Sequence, residues 1–157
     1  MMKVHLPLEL QIRLVSALNR AGHHEIGGIL MGENLGGEEF RIVDLTIQTQ
    51  TGTLAYFIRQ VSAAAGALKS FFKKTNHYYT KYNYLGEWHS HPQFPLIPSQ
   101  KDIQSMTEIV TDREVGANFI ILLIVKLSTQ EDLAATAVLF LPDSFFECEV
   151  IMERELG

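Results

Sequence analysis

A chain of 157 residues that is 46% hydrophobic and 20% charged is expected to form one domain, residues 1–157, around a packed core, and disorder is excluded. Its net charge of −5, with no basic cluster beyond Lys73 and Lys74, argues against a nucleic-acid partner, because phosphate contact needs concentrated Lys and Arg. The lone cysteine, Cys148, rules out an intramolecular disulfide and any all-cysteine zinc site.

The N-terminus MMKVHLPLEL has no apolar core followed by a small-residue cleavage site, so no signal peptide is read. The strongest apolar run, Phe119 to Val125, is far shorter than the roughly 20 residues of a membrane helix. A cytoplasmic protein without a membrane partner is expected, and the single thiol fits a reducing compartment. The oligomeric state is left open.

From Pro7 to Ala21, Leu10, Leu14, Val15 and Leu18 recur at helical spacing, with Gly22 as the stop. Ile26, Ile29, Leu30 and Met31 then indicate a buried strand. Glycines 27, 28 and 32 within it point to another backbone or a ligand coming close. Asn34 to Glu39 reads as a turn, and Phe40 to Thr49 as the second arm of a hairpin. Thr51 to Thr53 breaks the pattern, and Ala55 to Arg59 reads as a short strand. Val61 to about Tyr79 carries an apolar helix face of Val61, Ala65, Leu68, Phe71 and Phe72.

Tyr82 to His91 reads as a strand, and a loop punctuated by Pro92, Pro95 and Pro98 follows it. Ser99 opens a helix running to about Val110. Phe119 to Leu127 and Leu133 to Leu141 read as strands around a polar turn, and Phe145 to Glu153 as a last strand. The order predicts an α+β or mixed α/β fold, in one domain.

The chemistry concentrates in Gly86 to Asp102, GEWHSHPQFPLIPSQKD. On a strand, His89 and His91 share a face about 6.6 Å apart, close enough for both imidazoles to meet one cation. Asp102, from the next element, supplies a third ligand and leaves a fourth tetrahedral position for water. Each part also has an ordinary explanation. A histidine pair on a strand is commonly structural, and Ser99 with Asp102 forms a capping-box pattern that needs no catalytic role. Trp88 points away from the histidines, into the core. Glu87 shares the parity of His89 and His91, so it is a rival base, a partner to a histidine, a substrate contact or a strand-end charge. His23 and His24 are read as turn residues, and Cys148 as a small apolar residue in a strand.

The combination H-x-H-P, six residues, S-x-x-D, with Glu25 ahead of the strand EIGGILMGE, resembles the JAMM (MPN-plus) metalloprotease family. The element order matches over about residues 8 to 141. The resemblance implies an MPN/JAB-like fold, a curved central β-sheet flanked by helices. It also implies one Zn2+ per chain, held by His89, His91 and Asp102, with bound water acidified from ~15.7 towards 7. Glu25 would be the general base and Ser99 the oxyanion donor. The family commonly has an aromatic residue where this chain has Glu87.

The implied activity is hydrolysis of peptide or isopeptide bonds at the C-terminus of a ubiquitin-like protein, which would be the partner. The GEWHSHP form and minimal size are similar to the deconjugating peptidases of bacterial ubiquitin-like systems, including antiviral ones. A non-catalytic MPN scaffold is the alternative, although such members typically lack the ligands that this chain carries. A metal hydrolase of another substrate class, such as the RadC-like proteins, is the third reading.

Overall fold

The computed structural model describes residues 1–48 and 65–155. In chain order these form β1 (Lys3–Leu6), α1 (Leu8–Ala21), β2 (Gly27–Gly36), β3 (Glu39–Leu45), α2 (helical over residues 65–74), β4 (Tyr82–Ser90), α3 (Gln100–Thr111), β5 (Ile120–Leu127), β6 (Leu133–Leu141) and β7 (Ser144–Met152). The expected strand over Ala55 to Arg59, the break at Thr51 to Thr53 and the start of the helix at Val61 lie outside the described residues.

Local signals account for most of these elements. α1 starts on Pro7 and stops at Gly22, which takes φ 61° and returns its N–H to the Leu18 carbonyl. Leu10, Leu14, Ala17 and Leu18 form its buried stripe. The apolar run of β5 is buried on both faces. Ile121, Leu123 and Val125 join the α1 stripe, Trp88 and Leu30 in one cluster. Ile120, Leu122 and Ile124 pack with Met106, Ile109 and Val110 of α3 in a second. A strand covered by a helix on each side has no polar face, which explains the unbroken run.

The sheet departs from expectation. The order β1-β3-β2-β4-β5-β6-β7 closes on itself as a seven-stranded barrel, not an open curved sheet flanked by helices. The closing element is β1, a four-residue strand to which the sequence reading assigned no element. It pairs in parallel with β3, Lys3 opposite Glu39, and with β7, Lys3 opposite Glu149. Parallel pairing on both sides of so short a strand removes the free edges of β3 and β7.

Gly27 and Gly28 mark close backbone approach, as their position predicted, and Gly86 does so as well. A side chain on Gly28 would collide with the Thr46 carbonyl, and one on Gly86, at φ 148°, with the backbone of Ile121. β4 is thereby clasped between β2, antiparallel to it, and β5, parallel to it. No helix among the described residues is long and apolar enough to cross a membrane.

Candidate metal centre

β4 carries the first histidine. Opposite Leu30 and Met31 of β2 the pairing slips by one residue, with Leu30 against Gly86 and Met31 against Tyr84. The slip leaves Leu85 as the extra residue. Leu85 and Trp88 therefore share the α1 side, whereas Tyr84 packs with the α3 side. The Trp88 indole is fully buried and donates to the Thr46 carbonyl at 2.7 Å. Glu87 and His89 alternate with Trp88, which turns them toward the start of α3.

His91 lies one residue beyond β4, anchored by its N–H to the Val125 carbonyl at 2.9 Å. Its Nδ1 is 3.0 Å from the Pro95 carbonyl, which can only accept, so that nitrogen carries a proton and Nε2 is left to face Asp102. The proline loop is tied down by Thr136 Oγ1 donating to the Leu96 carbonyl and by Lys126 Nζ donating to the Phe94 carbonyl. It delivers Ser99 to the N-cap of α3.

The capping box is real. Ser99 Oγ accepts from the Asp102 N–H at 3.0 Å, and the Asp102 carboxylate accepts from the Ser99 N–H at 3.0 Å. The same carboxylate lies 3.5 Å from His89 Nδ1 and 3.2 Å from His91 Nε2. Capping and convergence on the histidines are thus one arrangement. Ser99 uses its oxygen as an acceptor and keeps its O–H free to donate.

Glu25 enters through Ile26 and Ser90. The Ile26 N–H donates to Ser90 Oγ, and the Ser90 N–H donates to the Ile26 carbonyl, both at 2.9 Å. With Gly27 opposite His89, this places Glu25 exposed at the rim beside His91, whose ring feels its charge. Ser90, buried between the histidines, is the positioning residue that the sequence reading missed. Its only signal was parity with Trp88, which marks an inward-facing hydroxyl that must find a partner. His23 and His24 are exposed, outside the histidine–carboxylate cluster, with His23 Nδ1 3.4 Å from Gln93 Nε2.

Residues 7–138 match the family model Prok-JAB, prokaryotic homologs of the JAB domain. The chain belongs to this family. Its fold is similar to that of protein DSY2949 from Desulfitobacterium hafniense, known from a solution structure. The TM-score is 0.64 over 98% of this chain and 94% of that one, at 19% identity. No curated protein matches the chain. Membership of the Prok-JAB family fits a JAB-like hydrolase or a scaffold.

The donor set decides whether a metal fits this Prok-JAB chain. Among the described residues no three donors are already drawn around a common cation position. The carboxylate rests directly against both imidazoles instead. Ligands ~2.0–2.2 Å from a tetrahedral zinc stand roughly 3.3 Å from one another. The two oxygens of Asp102 stand 3.5 Å from His89 Nδ1 and 3.2 Å from His91 Nε2, so each imidazole is near that spacing from the carboxylate, and the three side chains would have to rearrange to share one ion. Two imidazoles and a carboxylate are also zinc's own choice of donors.

The same contacts set the electrostatics of the cluster. Burial pushes the Asp102 carboxyl up, but hydrogen bonds from His89, His91 and the Ser99 N–H outweigh it and hold the group well below the usual carboxylate range. Burial alone would lower His89, yet Asp102 and Glu87 raise it to about 10. The hydrogen bond to Asp102 likewise raises His91. Glu87 is raised by burial, and the Tyr84 phenol is raised by burial and by the charge of Glu87.

Proposed function

We propose that this chain is a zinc-dependent peptidase that hydrolyses the peptide or isopeptide bond at the C-terminus of a ubiquitin-like protein. The observation that supports the reading is the contact of the Asp102 carboxylate, in the first turn of α3, with both His89 on β4 and His91 at its exit, at 3.5 and 3.2 Å.

His89, His91 and Asp102 would hold the ion. Zinc there supplies a Lewis acid and a water whose pKa is brought down towards 7. Glu25, exposed at the rim beside His91, is placed to take a proton from the attacking water and return it to the leaving amine. Ser99, its oxygen engaged by the Asp102 N–H, turns its hydroxyl proton to the oxyanion that develops on the substrate carbonyl. Burial favours Glu25 over the other candidate base. Glu87 is 2% exposed, whereas Glu25 is exposed.

The test is metal content together with cleavage of a ubiquitin-like fusion by wild type, Glu25→Gln and Glu87→Gln. The expected result is about one zinc per chain and loss of cleavage in Glu25→Gln. A chain that holds no metal after zinc reconstitution refutes the proposal. Cleavage that survives Glu25→Gln but not Glu87→Gln assigns the base wrongly.

A further inference from the structure

We infer that Glu87 is a positioning residue beneath the metal centre, holding His89 by the ring nitrogen that faces away from Asp102. The inference rests on the zinc reading above and adds a residue to it.

Three observations carry it. Glu87 is 2% exposed, so substrate and bulk water do not reach it. Its Oε1 lies 3.4 Å from His89 Nε2, while the other ring nitrogen, Nδ1, faces Asp102 at 3.5 Å. The imidazole is therefore held edge to edge between two carboxylates, and only one of them is positioned to share an ion with His91. Among the described residues Glu87 has no hydrogen-bond partner besides His89. Tyr84, on the same face of β4, has a buried hydroxyl with no hydrogen-bond partner among the described residues.

A buried carboxylate is strongly disfavoured unless a cation or donor compensates it. Here the compensation is His89 and whatever charge His89 carries or binds. A divalent ion held by His89, His91 and Asp102 would add to that compensation. A ligand histidine held in this way has its tautomer and ring plane fixed before the metal arrives, and loss of such a support typically weakens metal binding 10–100-fold. The acid at position 87 thus acts on the ion through His89, not on the substrate.

The experiment measures zinc affinity by chelator competition on the full chain, for wild type, Glu87→Ala and Glu87→Gln, with folding of each checked by circular dichroism. Glu87→Ala should bind zinc 10–100-fold more weakly, and Glu87→Gln, which keeps an oxygen acceptor, should recover most of the loss. Equal affinity in wild type and Glu87→Ala overturns the inference, as does a Glu87→Gln variant no better than Glu87→Ala. Nitrogen-15 NMR of zinc-loaded wild type needs no variant. His89 should keep a slowly exchanging proton on Nε2, and a proton on Nδ1 instead overturns the inference. Failure of wild type to bind zinc at all counts against the proposed function, so the two ideas fall to different results.

Discussion

Replacing Ser90 with alanine tests how the proposed catalytic edge is held. Ser90 is 1% exposed, and its Oγ accepts the Ile26 N–H at 2.9 Å. Alanine removes the acceptor and leaves a buried backbone donor where water has no access. An orphaned donor of that kind costs about 1–3 kcal/mol. For a chain of this length each kcal/mol shifts the melting temperature by roughly 2–4 °C. A loss of ~2 kcal/mol then lowers the melting temperature by about 4–8 °C, measured by differential scanning calorimetry on the zinc-free protein. Because Ile26 also carries Glu25, cleavage should fall by more than the unfolded fraction explains. The reverse bond, Ser90 N–H to the Ile26 carbonyl, survives the substitution and keeps the strands paired. A melting temperature within about 1 °C of wild type would mean that the Ile26 N–H finds another partner, and the reasoning fails.

The capping role of Ser99 and its proposed oxyanion role separate by substitution. Ser99→Gly should keep helix stability within a few tenths of a kcal/mol, since glycine is an acceptable N-cap, while cleavage falls ~10²–10³-fold. Ser99→Ala should lose both, and equal activity in Ser99→Gly and wild type removes the oxyanion role. Cys148 is 5% exposed and its thiol is pushed up to about 11 by burial, so a thiol reagent at pH 8 should label the native chain far more slowly than the unfolded one. Rapid native labelling contradicts the buried place of Cys148 within β7. Glu153 is lowered below its ordinary value chiefly by the hydrogen bond from Arg41, at 2.9 Å. Its contribution is therefore present above the unfolded carboxyl range and is lost as pH falls through the lowered folded value. Glu153→Gln should cost at most about 1 kcal/mol at pH 7, given the pair's partial exposure, and nothing near pH 2, as read by chemical denaturation at each pH.

What was legible in the sequence was local. The α1 stripe, the hairpin of β2 and β3, the inward turn of Trp88 and the Ser99 cap all follow from spacing and capping chemistry within a few turns of chain. Barrel closure does not. β1 pairs Lys3 with Glu39 and with Glu149, across separations that no periodicity records, and four residues are too few to show a strand pattern before Pro7. The fold class was misjudged for that reason: the helices and most strands were in place, but the strand that joins the two ends of the sheet was not recognised.

The site divides along the same line. His89 and His91 could be paired by strand parity, and Asp102 could be brought up by a helix that Ser99 opens. Glu25 rested on resemblance alone until the reciprocal bonds between Ile26 and Ser90 set it beside His91. Strict alternation would have put Tyr84 with Trp88 and Leu85 with Glu87. The slip at Leu85 reverses this, so the floor under the metal centre is a tyrosine and a carboxylate in place of a leucine and a carboxylate. Parity could place Glu87 on the histidine face but could not show how deep it lies. Depth is what separates a base from a support. A base must exchange protons with substrate, whereas Glu87, at 2% exposure, has His89 as its hydrogen-bond partner, which is what the proposed positioning role draws on.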